Sequence, residues 1–117
     1  MATEDFKLLQ KVQDMLTYGY PLLTQFPKAE KFSLAQDIRN SMNEMLRLTI
    51  TEEKKKSKLT TLEHLDVENE FLKRLLCVSM ELKYLSRHHY GVWEKKLVEI
   101  GKMIGGLLKS VSSKPKT

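Results

Sequence analysis

The stretch "SLAQDIRNSMNEMLRLT", residues 33–49, decides the fold. Leu34, Ile38, Met42, Met45 and Thr49 recur three and four residues apart, the spacing that lines one face of an α-helix. Gln36, Asn40, Asn43 and Arg47 take the opposite face. A half-buried strand would need alternation of apolar and polar residues, which the stretch lacks. Ser33, with Gln36 three positions on, reads as a capping box and predicts the helix start.

The same period extends outward in both directions. Upstream, Leu9, Val12, Leu16, Tyr20 and Leu23 mark the inward face of a first helix predicted over 4–26. Pro21 removes one backbone donor, so a kink is expected near Tyr18 to Tyr20. Pro27 stops this helix, because a residue before proline avoids the helical region. "PKAEKF", 27–32, is then the first connection. Downstream, "TEEKKKSK", 51–58, is a charged connection, and Thr60 with Glu63 forms a second capping box. A third helix is predicted over 61–85. Its apolar residues Leu65, Phe71, Leu72, Leu75, Leu76, Val78, Leu82 and Leu85 cover nearly half the circumference. That is wider than a bundle stripe requires, and the surplus predicts a subunit interface. Ser86 caps a fourth helix over 88–111. Four helices with short connections predict an all-α, antiparallel, up-down-up-down four-helix bundle over 1–111. Residues 112–117 read as a disordered basic tail.

The fourth helix contains "EIGKMIGGLLKS", 99–110, with three glycines inside it. Each costs about 1 kcal/mol relative to alanine. On a wheel of about 100° per residue, Trp93, Leu97, Ile100, Ile104, Leu107, Leu108 and Val111 share the inward arc. Gly101 and Gly105 lie beside it, and Lys95, Lys102 and Lys109 lie beyond them at seven-residue spacing. The glycine pair predicts a groove that admits a second helix, from within the bundle or from a neighbouring subunit or partner. The lysine row is either a solvated face or a track for phosphates. Gly106 falls elsewhere on the wheel.

The 117 residues are 41% hydrophobic and 30% charged, which suits one globular domain. There is no apolar run of membrane-spanning length and no signal-peptide pattern, so a cytoplasmic location without membrane contact is expected. The single Cys77 excludes an internal disulfide. Net charge is +5. The excess sits in residues 31–58, with seven Lys/Arg against four Asp/Glu, and in residues 88–117, with six against two. Such asymmetry points to a polyanionic partner.

Catalytic patterns are missing. His88 and His89 are adjacent and diverge by about 100° on a helix, and no third ligand completes a metal set. Cys77, between Leu76 and Val78, reads as a buried, inert thiol. No glycine loop follows a strand. No enzyme, metal or cofactor is expected. Tyr84, Arg87, His88, Tyr90 and Trp93 form one aromatic and basic cluster; Trp93 falls on the core arc, and Tyr84 and Tyr90 remain open to base stacking.

The segments "YGYPLLTQFPKAEKFSLAQDIR", "LEHLD" and "VEIGKMIGGLLKS" resemble the accessory variability determinant (Avd) proteins of diversity-generating retroelements. The resemblance spans roughly residues 18–110 and lies within the wider four-helix-bundle family that includes the ribosomal intervening-sequence proteins. The Avd pattern often has tryptophan after its last glycine, where this chain has Leu107. The resemblance implies a non-catalytic, basic homopentamer that binds a reverse transcriptase and, without sequence preference, RNA and DNA, in support of mutagenic cDNA synthesis. It places Lys28, Arg39, Arg74 and Lys102 at family-like basic positions. With Lys95 and Lys109 they are the candidate nucleic-acid contacts. The alternative is a self-associating helical interaction module with no nucleic-acid role.

Overall fold

Proline sets the first boundary of the chain. A computed structural model describes residues 3–112, in which α1 (Thr3–Leu22), α2 (Leu34–Lys54), α3 (Leu59–Glu81) and α4 (Arg87–Ser112) follow one another. Helix α1 stops at Leu22, short of the expected Phe26, and continues as a single 3-10 turn over Leu23–Gln25. Pro21 sits in the last turn, so the missing donor falls at the helix end and not at its middle. The Thr24 hydroxyl donates to the Pro21 carbonyl at 2.8 Å. A second 3-10 turn, Lys28–Glu30, leads into α2.

The four helices pack in a ring, α1 on α2, α2 on α3, α3 on α4 and α4 back on α1. Polar pairs fix the antiparallel register. Tyr20 donates to Asn43 at 2.6 Å, Ser41 to Glu68 at 2.7 Å, and the Asn69 amide to the Leu97 carbonyl at 3.0 Å. Among the described residues this is the all-α, up-down-up-down bundle that the spacing predicts.

The core is layered along this ring. Ile38, Met42, Met45 and Thr49 of α2 are fully buried, as their spacing requires. In α1, Val12 and Leu16 are buried as expected, as is Leu23 just beyond it, but Leu8, Met15, Gly19 and Leu22 are buried too, and the expected Leu9 and Tyr20 are only half-buried. Tyr20 is half-buried because its hydroxyl reaches Asn43, which is therefore half-buried too rather than outward.

Both predicted capping boxes are absent. Ser33 stands at the N-cap, with φ −123° and ψ −100°, but its side chain makes no cap hydrogen bond. It donates instead to Glu30, whose same oxygen accepts the Leu34 N–H at 3.4 Å. Glu30 thus caps α2 from the preceding turn. Gln36 turns to Asn40 and Arg39. Helix α3 begins at Leu59, two residues before the expected start, with Thr61 buried and no side-chain cap. It ends at Glu81, four residues before the expected Leu85, where Lys83 adopts φ 67°. Tyr84 N–H then bonds the Ser79 carbonyl and Lys83 N–H the Met80 carbonyl, both at 2.9 Å, the paired closure that glycine usually permits. Ser86 does cap α4, accepting the His89 N–H at 3.0 Å. Of the tail expected at 112–117, Ser112 belongs to α4 and the rest lies outside the described residues.

One glycine governs how closely α1 meets α4. A Cβ on Gly19 would lie 2.3 Å from the ring of Trp93. Trp93 is the largest fully buried side chain, and only a bare backbone leaves it room. Gly19→Ala is therefore expected to lower stability by about 1–3 kcal/mol through overpacking. At Gly106 an added Cβ meets nothing within 4 Å. Gly106→Ala is expected to stabilise by up to about 1 kcal/mol through helix propensity. Urea unfolding of both variants beside the parent measures the contrast, and a Gly19→Ala protein as stable as the parent refutes the close approach.

Candidate nucleic-acid and subunit interfaces

The six candidate basic residues do not form one patch on the chain. Lys95, Lys102 and Lys109 are exposed along the outer face of α4. Seven helical residues rise about 10.5 Å, so the row is about 21 Å long. Lys28 is exposed in the turn before α2, at the end of the bundle away from Lys109. Arg39 is half-buried on α2, donating to Gln36 at 3.2 Å with its guanidinium 5.9 Å from the Tyr20 ring centre. Arg74 is exposed on α3 and pairs with Glu70 at 3.4 Å. Exposed pairs of this kind contribute little and yield readily to a phosphate.

The glycine pair divides between two situations. A Cβ on Gly101 would sit 3.1 Å from the Asn69 amide nitrogen. Its bareness lets Asn69 of α3 reach the Leu97 carbonyl, so this glycine serves packing within the chain. Gly105 is exposed, with nothing within 4 Å of its missing side chain.

The apolar surplus of α3 is on the surface. Leu65, Leu72, Leu76 and Leu85 are buried, whereas Val67, Phe71, Val78 and Leu82 are 69%, 49%, 45% and 51% exposed. At about 100° per residue these four fall within an arc of about 60°. They make a continuous stripe, edged by Glu70 and Arg74. Val67 extends it by one turn beyond the residues that spacing alone picks out.

Within the aromatic cluster, Trp93 is buried in the core, Arg87 and His88 are exposed, and Tyr84 and Tyr90 are half-buried. Tyr84 packs on Phe26 and donates to Glu30 at 3.2 Å, and Tyr90 donates to Glu94 at 2.8 Å. That acceptor, with burial behind it, drives the Tyr90 phenol well above its ordinary value. The aromatic side chain most open to solvent is Phe32, 84% exposed in the turn before α2 with the Lys31 ammonium 5.4 Å from its ring centre. Cys77, expected to be buried, is half-buried and donates to Glu81 at 3.3 Å. The neighbouring carboxylate pushes its thiol pKa up, which lowers the fraction present as thiolate.

At the opposite end stands a cluster that no local pattern announces. Glu52, inside the charge run, is fully buried, and Asp5 is nearly so. Lys58 lies 2.9 Å from Asp5 and 3.7 Å from Glu52. Burial, then the facing Asp5, raises the Glu52 carboxyl to about 7, so it keeps its proton through mildly acid pH. Burial works against ionised Asp5, but the neighbouring Glu52 and Lys58 outweigh that and hold it below its ordinary value.

Among the described residues no three metal-ligating side chains converge, and no helix is long and apolar enough to cross a membrane. The chain is thus an antiparallel helical bundle with an exposed lysine row on α4 and exposed apolar residues along α3. The sequence model of the bAvd-like family matches residues 6–111, and the chain belongs to that family. No curated protein matches the sequence.

A raised folded-state carboxyl favours the protonated fold. The stability Glu52 allows is therefore fully present below its unfolded value of 4.5 and is lost as pH rises through about 7. Asp5 acts oppositely, losing its contribution as pH falls below its unfolded 3.8. The parent is expected to weaken by on the order of 2 kcal/mol between pH 5 and pH 8. Glu52→Gln, which mimics the protonated acid, should flatten this slope and be the more stable protein at pH 8. Denaturant titrations at both pH values check it; parallel slopes in the two proteins would place the ionisation elsewhere.

Proposed function

We propose that the protein is a non-enzymatic accessory subunit of a diversity-generating retroelement, holding nucleic acid and a reverse transcriptase together during mutagenic cDNA synthesis in the cytoplasm. The observation that carries this reading is membership of the bAvd-like family across residues 6–111. The exposed lysine row of α4 supports it on physical grounds. Lysines spaced about 10.5 Å apart outrun the about 3.4 Å between phosphates along one duplex strand. They therefore suit an obliquely crossing strand, or strands bound by different subunits. Such contacts neutralise backbone charge and read no bases.

Self-association belongs to the same proposal. The α3 stripe supplies the apolar surface that a neighbouring copy buries, and five copies is the number the family resemblance implies. Closed rings follow when one face of a subunit meets a different face of the next. Assembly also gathers basic residues that a single chain keeps apart. The second reading, a self-associating module without nucleic acid, draws on the same stripe.

Two measurements separate these. Replacing Lys95, Lys102 and Lys109 with Gln should reduce the slope of log K against log salt by about 0.7–0.9 for each phosphate no longer neutralised. The fold should remain intact, because all three side chains are exposed. An unchanged slope would move the contacts to Lys28, Arg39 and Arg74, and a parent that binds no RNA or DNA would favour the second reading. For assembly, light scattering on the parent should give a multiple of 13.7 kDa. Phe71→Asp with Val78→Asp should give the single-chain mass, since ionised groups cannot be buried unpaired. A parent that stays a single chain on dilution and concentration alike would end the assembly proposal.

A further inference from the structure

Phe32 is 84% exposed, more than any other large apolar side chain among the described residues. Its turn is an ordered one. The N–H groups of Glu30, Lys31 and Ser33 bond the carbonyls of Pro27, Lys28 and Glu30 at 2.9, 3.2 and 3.2 Å, and the Ser33 hydroxyl bonds the Glu30 carboxylate. Phe32 is thus held outward between fixed points. The Lys31 ammonium stands 5.4 Å from the ring centre on one side, which leaves the opposite ring face open. Tyr84 donates to Glu30 at 3.2 Å and packs on Phe26, so this turn is tied to the α3–α4 hairpin. The hairpin adds Lys83 and Arg87, which line one open hollow of about 450 Å³ with Ser86 and Glu81. Lys28, Lys31, Lys83 and Arg87 are all exposed, and among the described residues none of them makes an ion pair. The acids nearby are already engaged: Glu30 accepts from Ser33, Leu34 and Tyr84, and Glu81 from Cys77.

We infer that this end of the bundle binds an unpaired nucleic-acid strand, one base stacking on Phe32 and the flanking phosphates meeting Lys28, Lys31, Lys83 and Arg87. A duplex already stacks its bases on one another, so an exposed ring gains only where a base is unpaired. The four cations neutralise phosphates and read no bases. The inference rests on the reading that the chain binds nucleic acid, and adds which form of it and where. Arg87 opens the helix whose outer face carries Lys95 about 12 Å further along. Copying a template leaves an unpaired strand joined to a duplex, and the paired turns and the α4 row suit those two parts. A lipid surface is the poorer fit, because the turn presents a single large apolar side chain among Lys28, Glu30, Lys31 and Ser33.

The test is fluorescence anisotropy of the full chain with labelled oligothymidylate and with a duplex of equal length. Phe32→Ala should weaken oligothymidylate binding about five- to a hundredfold, the range for one stacked base, and leave duplex binding within about twofold. No charge is lost, so the slope of log K against log salt should stay that of the parent. Lys83→Gln with Arg87→Gln should lower the oligothymidylate slope by about 1.4. Phe32→Trp should restore tight binding, and its added surface indole should be quenched by oligothymidylate and not by the duplex. The urea midpoint of Phe32→Ala should match the parent, since the ring is exposed. Unchanged oligothymidylate binding by Phe32→Ala, or equal weakening of both probes, overturns this site and leaves the proposed function standing. A parent that binds neither probe overturns both. A fall in assembly mass in Phe32→Ala makes the ring a subunit contact. Loss of binding to phosphatidylserine vesicles, with oligothymidylate binding unchanged, makes it a membrane contact. Either result overturns the inference.

Discussion

Trp93 against the bare backbone of Gly19 is the contact on which the bundle depends. A ring of four helices closes only if the first meets the last, and here the largest buried side chain stands in the seam. The solution is a residue with no side chain at the point of contact. Tyr18 packs edge-on at 6.3 Å from the indole, and Lys96 lies over Tyr18, so the seam is covered from outside. The close fit leaves the Trp93 N–H buried without an acceptor. Such a group costs about 1–3 kcal/mol, which the buried aromatic area must exceed. The α3–α4 seam repeats the principle in polar form, with Gly101 admitting the amide of Asn69.

The architecture is legible in the sequence because period, breakers and connection lengths agree. On α2 the spacing picks out the buried Ile38, Met42, Met45 and Thr49, though Leu34 is only half-buried, and part of the apolar arc of α3 emerges on the surface. What local reading misses are features set by atoms distant in the chain. The caps differ from expectation because Glu30, from a separate turn, out-competes Ser33 for the start of α2. In α1, Leu8 and Gly19 are buried where Leu9 and Tyr20 are expected. Nothing in "YGYP" announces the purpose of that glycine, which lies in a tryptophan on the last helix.

The candidate sites divide in the same way. Seven-residue spacing brings Lys95, Lys102 and Lys109 onto one face, a property of helix geometry alone. Glu52 is hidden in "TEEKKKSK", which reads as a solvated run. Nothing local says that one of those acids turns inward to meet Asp5 from the start of the chain. Burial of a charged residue is decided by tertiary partners, and composition averages it away.

Lys83 carries a consequence of its own. An L-residue in the left-handed region is strained by about 1–2 kcal/mol, and this one sits at the hairpin joining α3 to α4. The hydrogen bonds from the Lys83 and Tyr84 N–H groups to the end of α3 hold it in that conformation. The hairpin thus holds that strain in the folded chain, and a glycine at the same position would relieve it.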